Sequence, residues 1–279
     1  MGSCSENSLV IEIGTGRKKN RYWKDVWSYR ELFVFLSWRD ILVRYKQTFI
    51  GVAWSVIRPV LTMVVFTLVF GKLAKLPSEG VPYPVLVYAA MLPWQFFSNS
   101  FSEAGNSLIS NANLLTKIYF PRIIVPSSAV IVSLVDFLIS SVILIALMVW
   151  FRFVPDYRIL TLPIFLILAL ITSLGAGFYV AALNVKYRDF RYIIPFIVQF
   201  GLYISPVGFS SNIVPEKWRL LYSLNPMVGV IDGFRWAIVG GNSNIYLPGF
   251  LLSGLISVSL FVGGIYYFRN MERSFVDII

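Results

Sequence analysis

The chain has 279 residues, 57% hydrophobic and only 14% charged, with a mean hydropathy of +0.72. A soluble domain does not carry that balance, so the sequence reads as an all-α integral membrane protein. The net charge of +10 would suit nucleic acid, but 16 of the 24 Lys and Arg residues fall in segments assigned below to the cytoplasmic side. The charge is therefore read as topology, and no nucleic-acid partner is expected.

Taken in chain order, residues 1–21 read as a cytoplasmic tail. No apolar run precedes Trp23, and the opening MGSCSE lacks the Ser or Thr that myristoylation wants at the sixth position. Cys4 is the single cysteine and permits no intrachain disulfide. With no histidine anywhere, the commonest metal ligand and proton shuttle is missing, so no metal site and no catalytic residue are expected.

Residues 22–49 form an amphipathic region. On a helical wheel Val34, Trp38, Ile41, Leu42, Tyr45 and Phe49 share one side, while Arg39, Asp40, Arg44, Lys46 and Gln47 lie largely opposite. This pattern predicts an interface helix on the cytoplasmic leaflet.

A six-helix transmembrane domain is expected over 50–268. Five apolar runs, about 50–72, 84–108, 123–151, 159–183 and 247–268, can cross ~30 Å of hydrocarbon at ~1.5 Å per residue, and a shorter sixth covers about 191–209. Summed over alternate segments outside the spans, Lys and Arg number 16 on one side against 7 on the other. Both termini, including the tail 269–279, are therefore assigned to the cytoplasm.

Between the fifth and sixth spans, residues 211–246 hold two apolar pieces too short to cross, separated by Asn225-Pro226 and closed by Gly240-Gly241. Two readings fit: a re-entrant helical hairpin in the outer leaflet, or a folded extracellular cap. Asp232 and Arg235, three apart, are placed to pair on one helix face.

Polar side chains recur inside the spans. Tyr88, Gln95, Asn99, Ser102 and Asn106 share one helical direction in the second span, and Tyr192, Gln199, Tyr203 and Ser210 repeat the pattern in the fifth. Such stripes either line a pathway or glue helices together. Arg58 and Asp136 are ionisable within spans, where an unpaired charge costs ~2.5–3.5 kcal/mol on insertion scales. Arg58 is followed by Pro59, which frees a carbonyl. Two partners suit Arg58: a protein group, with Asp136 one option, or an anionic ligand.

The motifs that are missing narrow the class. There is no G-x-x-x-x-G-K-[ST] loop, and "GTGRKK" at 14–19 has the wrong spacing, so energy must come from outside this chain. A membrane-embedded transferase would need paired carboxylates or a histidine cluster. A secondary transporter, or a channel for a smaller solute, is the other alternative, although no self-similarity between the halves points to inverted repeats.

Four phrases then carry a resemblance: "RYKQTFIGVAWSVIRP" at 44–59, "NLLTKIYFPRIIVP" at 113–126, "VKYRDFRYIIPFIVQFGLYISPVGF" at 185–209 and "LNPMVGVIDGFRWAIVG" at 224–240. In this order and spacing the chain resembles the permease subunit of type-2 ABC exporters for cell-surface polysaccharides, the O-antigen and teichoic-acid branch. The resemblance implies a multi-pass protein of the bacterial inner membrane that binds no cofactor itself. It further implies a homodimer docked on two copies of a cytoplasmic ATP-binding subunit that holds ATP and Mg2+, moving an undecaprenyl-pyrophosphate-linked polymer through a channel between the copies.

The polar stripes and the cation in the first span supply the channel set, Arg58, Tyr88, Gln95, Asn99, Ser102, Gln199 and Tyr203, and with the resemblance the anion that Arg58 would grip is the carrier's pyrophosphate. By position, the same resemblance assigns the other site residues. Asn113, Lys117, Phe120 and Arg122 in one cytoplasmic loop, and Tyr187, Arg188 and Asp189 in another, would engage the ATPase. Asn225, Pro226, Met227, Asp232, Phe234 and Arg235 would form an outer gate.

Overall fold

The structure, a computed structural model, describes residues 19–46, 49–78, 80–187, 189–240, 245–272 and 275, with side chains from Tyr22 and, after the first gap, from Val56 onward. Residues 1–18, Gln47, the side chain of Phe49, Arg188, Gly241 and most of the tail after Glu272 lie outside the described residues.

Among the described residues all regular structure is helical. The amphipathic region is two helices, α1 (Lys19–Ser28) and α2 (Arg30–Lys46), separated at Tyr29. α2 starts with Glu31 in its first turn and ends with Arg44 and Lys46 in its last, matching the helix dipole at both ends. Of the face expected to be apolar, Val34 (62%), Trp38 (60%) and Leu42 are exposed, Ile41 and Tyr45 are half-buried, and the neighbouring Leu36 and Ser37 are buried in the protein. α2 packs against α6 (Ile124–Trp150).

Among the described residues four stretches are long and apolar enough to cross a membrane: Val56–Leu73, Ile124–Trp150, Tyr157–Lys186 and Leu247–Met271. The first joins α3 (Phe49–Phe66) to a π-helical turn, Thr67–Leu73, and α3 runs through Pro59. The third joins a 3-10 turn, Tyr157–Thr161, to α7 (Leu162–Lys186), and the fourth is α11.

The other two expected spans are helices of a different kind. α4 (Tyr83–Ser110) has 28 residues, about 42 Å, but Gln95, Ser98, Asn99, Ser102 and Glu103 lower its apolar content. It is the central helix, walled in by α6, α7 and α10 (Pro226–Val239). α8 (Phe190–Ile204) has 15 residues, about 22 Å, and stops short of the expected position 209. Its end is set by Pro206, which disfavours the helical region at Ser205; that residue is extended at φ −79, ψ 152.

Close helix approach fixes the bundle. A Cβ added at Gly175 of α7 would stand 2.6 Å from the backbone nitrogen of Phe261 on α11, so these two helices touch backbone to backbone. Thr172 donates to Ser257 at 2.8 Å across the same seam, and the Asn184 amide donates to the Gly105 carbonyl at 2.9 Å to tie α7 to α4.

The segment between α8 and α11 contains a 3-10 turn (Ser211–Ile213), α9 (Glu216–Tyr222) and α10. Asn225 caps α10 by accepting from Met227 N–H at 3.0 Å, and Pro226 occupies the first turn, where a missing donor costs nothing. α10 ends at Gly240, whose φ of 65 suits glycine.

Candidate functional site

A cavity of about 810 Å³ lies between α3, α4, α6 and α8, with Arg44 of α2 also lining it. α3 contributes Arg58, Pro59 and Thr62, and α4 contributes Gln95, Ser98, Asn99 and Ser102 beside Trp94 and Phe96. Ser133, Asp136 and Ser140 come from α6, and Pro195 and Gln199 from α8. Pro59 and Pro195 each leave a carbonyl one turn back without its helical donor. The wall thus combines amides, hydroxyls, aromatic rings and two guanidiniums. Among the described lining residues Asp136 is the one carboxylate.

Asp136 does not take its ion pair from Arg58. Arg44 Nη2 lies 2.9 Å from Asp136 Oδ2, the Tyr45 hydroxyl donates to Asp136 Oδ1, and Arg44 also sits 3.4 Å from Glu103. The Asp136 side chain is 8% exposed, so this charge is matched by a cation brought in from the amphipathic leader. Sequence reasoning missed that partner. The signal was Asp136 itself, since a carboxylate in a span demands a cation, but its cation, Arg44, lies in the leader helix far back in the chain and no spacing rule finds it.

The polar stripe of α4 divides. Gln95, Asn99 and Ser102 face the cavity, whereas Tyr88 is buried and its hydroxyl donates to the Ser140 carbonyl at 3.3 Å. Asn106 donates to the Ser102 carbonyl and accepts from Asn184 at 3.2 Å. One stripe therefore serves both purposes, wall and helix glue. On α8, Gln199 faces the cavity, while Tyr192 and Tyr203 are exposed on the outside of the protein.

In the segment between α4 and α6, α5 (Ala112–Lys117) presents Asn113 and Lys117 to the outside, and Ile118 and Tyr119 follow them there. Phe120 turns inward instead and is buried with Ile123, Phe268 and Phe275, because an aromatic ring at the base of the loop fills the core between helix ends. Arg122 is half-buried and binds Glu272: its N–H donates to Glu272 Oε1 at 2.8 Å and its Nη1 to the Glu272 carbonyl at 2.7 Å. Tyr187 and Asp189 are exposed in the second segment.

Two of the expected gate residues, Arg235 and Asn225, bind the loop that follows α8. Arg235 is 2% exposed and donates to the carbonyls of Phe209 and, at 2.9 Å, Val207. Asn225 donates to Ser205 Oγ at 2.9 Å, Tyr83 to the Gly208 carbonyl at 2.7 Å, and Tyr222 to the Ile204 carbonyl at 2.7 Å. Met227 and Phe234 are buried in the main core, and Asp232 is half-buried. The end of α8 and the loop 205–210 after it are thus held by four side chains, from α4, α9 and α10 with its cap.

Residues 31–239 match the family model described as ABC-2 type transporter. The chain belongs to that family. As an ABC-2 membrane subunit it is a transport component and not an enzyme, and the family implies an ABC ATPase on a separate subunit. Relatives include an "O-antigen export system permease protein RfbA" of Myxococcus xanthus, 28% identical over 218 residues that cover 77% of this chain and 83% of the relative. A protein of the same name from Klebsiella pneumoniae is 26% identical over 251 residues, 89% of this chain and 95% of the relative. The "Polysialic acid transport protein KpsM" of Escherichia coli is 22% identical over 241 residues, 85% and 92% of the two chains.

Proposed function

We propose that this ABC-2 subunit is the permease of an ATP-driven exporter that carries a cell-surface polysaccharide, such as O-antigen or teichoic acid, out across the bacterial inner membrane. The observation that carries the reading is the lined cavity: amides, hydroxyls and rings offer a sliding sugar chain hydrogen bonds and flat apolar faces, and two guanidiniums offer an anion a grip. The relatives' names point to the same cargo class.

In this reading the polymer travels on an undecaprenyl-pyrophosphate carrier whose anion meets Arg58. Guanidinium holds phosphate oxygens through paired hydrogen bonds, and among the described residues Arg58 makes no ion pair with Asp136. The chain crosses the membrane six times, with α4 and α8 as the two spans that protein or a second copy covers, and both termini are cytoplasmic. α1 and α2 lie on the cytoplasmic leaflet with Val34, Trp38 and Leu42 in lipid. The outward aromatic face of α8, including Phe196, Phe200 and Tyr203, faces the channel axis of a homodimer. Residues 211–246 form the outer gate, and two ATPase subunits carrying ATP and Mg2+ dock on the exposed Asn113–Tyr119 tip and near Tyr187–Asp189.

The test is genetic and chemical. Deleting this chain from its own cell should abolish surface polysaccharide while lipid-linked polymer accumulates inside, and the parent gene should restore export. Normal surface polymer without the chain, or loss of a small solute's transport instead, would reject the reading.

A further inference from the structure

Far from the cavity, three distant parts of the chain meet at the cytoplasmic end. Arg122, at the base of the segment between α4 and α6, is held twice by Glu272 at the end of α11, once through its backbone N–H and once through its guanidinium. The same guanidinium lies 5.8 Å from the ring of Phe275. The guanidinium of Arg269 lies 4.3 Å over the ring of Tyr22 on α1, and the Tyr22 phenol stands beside the Glu272 carboxylate. Tyr22, Leu115, Phe120, Ile123, Phe268 and Phe275 form one buried apolar cluster beneath these polar groups.

The opposite end of the same segment is also tied. Arg39 of α2 donates to Asn111 Oδ1 at 2.8 Å, where α4 ends. Residues 111–122 are therefore pinned at both ends, with Asn113, Lys117, Ile118 and Tyr119 exposed between the pins. The segment joins α4 to α6, and both helices line the cavity. A push on its tip moves those helices only if its base does not yield, because a loose base lets the loop rotate and absorbs the displacement.

We propose that Glu272 is a positioning residue for energy coupling: by gripping Arg122 it makes the 111–122 segment a rigid lever between the ATPase and the cavity helices. This rests on the permease reading above. Glu272 touches neither cargo nor nucleotide. Its role is to fix the base of the lever to α11 and α1, so that ATP-driven movement reaches α4 and α6 undiminished.

The experiment uses the full chain co-purified with its ATPase and reconstituted in vesicles, with ATP hydrolysis and polymer export measured together. Glu272→Ala should still co-purify and hydrolyse ATP, with export per ATP falling about tenfold, the scale of one lost hydrogen bond to a charged group. Glu272→Gln keeps an acceptor for the Arg122 N–H and should stay close to the parent. Hydrogen exchange on the permease alone supplies a readout independent of cargo and ATPase: the amides of 118–123 should exchange about tenfold faster in Glu272→Ala and not in Glu272→Gln. Arg122→Gln, which keeps the backbone bond and loses the side-chain one, should also lower export per ATP, and it serves if the alanine variant does not accumulate. Faster exchange with a parent-like export-to-ATP ratio would overturn the proposal while leaving the permease reading intact. A parent complex that hydrolyses ATP and exports no polymer would instead strike the permease reading.

Discussion

Arg44 and Arg58 reach one cavity by opposite routes, the first from the leader helix and the second from α3. Arg44 is paired with Asp136 and Glu103, and in the proposed function Arg58 is the cation that meets the carrier's anion. Arg58→Lys should therefore keep part of the export rate, since a point charge remains without the paired geometry, whereas Arg58→Ala should lose most of it with unchanged protein in the membrane. Surface polymer per permease molecule is the measurement, and normal export by Arg58→Ala would remove Arg58 from the route. Glu272 carries a different prediction. Burial holds its carboxyl above the ordinary carboxylate range, opposed by the Arg122 backbone N–H, Tyr22 and the guanidiniums of Arg122 and Arg269. A raised folded value means that the folded state binds the proton more tightly than the unfolded chain. The contribution is then fully present below the ordinary glutamate value of ~4.3 and is lost as pH rises through the raised value. Melting of the detergent-solubilised chain should show that extra loss of stability over this window, and Glu272→Gln should not.

At the scale of elements, the seam between α7 and α11 is the tightest constraint. A methyl at Gly175 meets the backbone of Leu260 and Phe261, and a methyl at Gly264 meets the Gly175 carbonyl at 2.5 Å, so neither can be relieved by a side-chain rotation. Gly175→Ala should cost about 1–3 kcal/mol, read as a lower melting temperature with faster amide exchange along both helices. α10 makes a second case, because Arg235 holds the loop 205–210 through its carbonyls. Arg235→Ala should loosen that loop and let resting vesicles leak potassium while ATP hydrolysis continues; tight vesicles would mean the closure lies elsewhere. Several of these elements were legible in the sequence for local reasons. Apolar length gave α6, α7 and α11, and Asn225-Pro226 marked the start of α10. The end of α8 was misplaced, although Pro206 was visible, because the apolar run continues past it. What could not be read was tertiary. The halves of the α4 stripe differ only in what packs against them, and the Arg44 to Asp136 and Arg122 to Glu272 links join residues that no periodicity relates.

For the whole molecule, the pinned segment 111–122 joins two of the helices that line the polar cavity, and the stapled loop 205–210 follows a third. In the proposed function polymer passes through that cavity under ATP drive. The most direct measurement places a photo-crosslinking side chain at Asn99, inside the cavity, and in a second variant at Val142, on the exposed outer face of α6. Both are illuminated in vesicles of the permease–ATPase complex loaded with lipid-linked polysaccharide. Crosslinked polymer should form at Asn99 and not at Val142, and should rise when ATP is supplied. Equal capture at both positions, or none at Asn99 while export proceeds, would contradict the account.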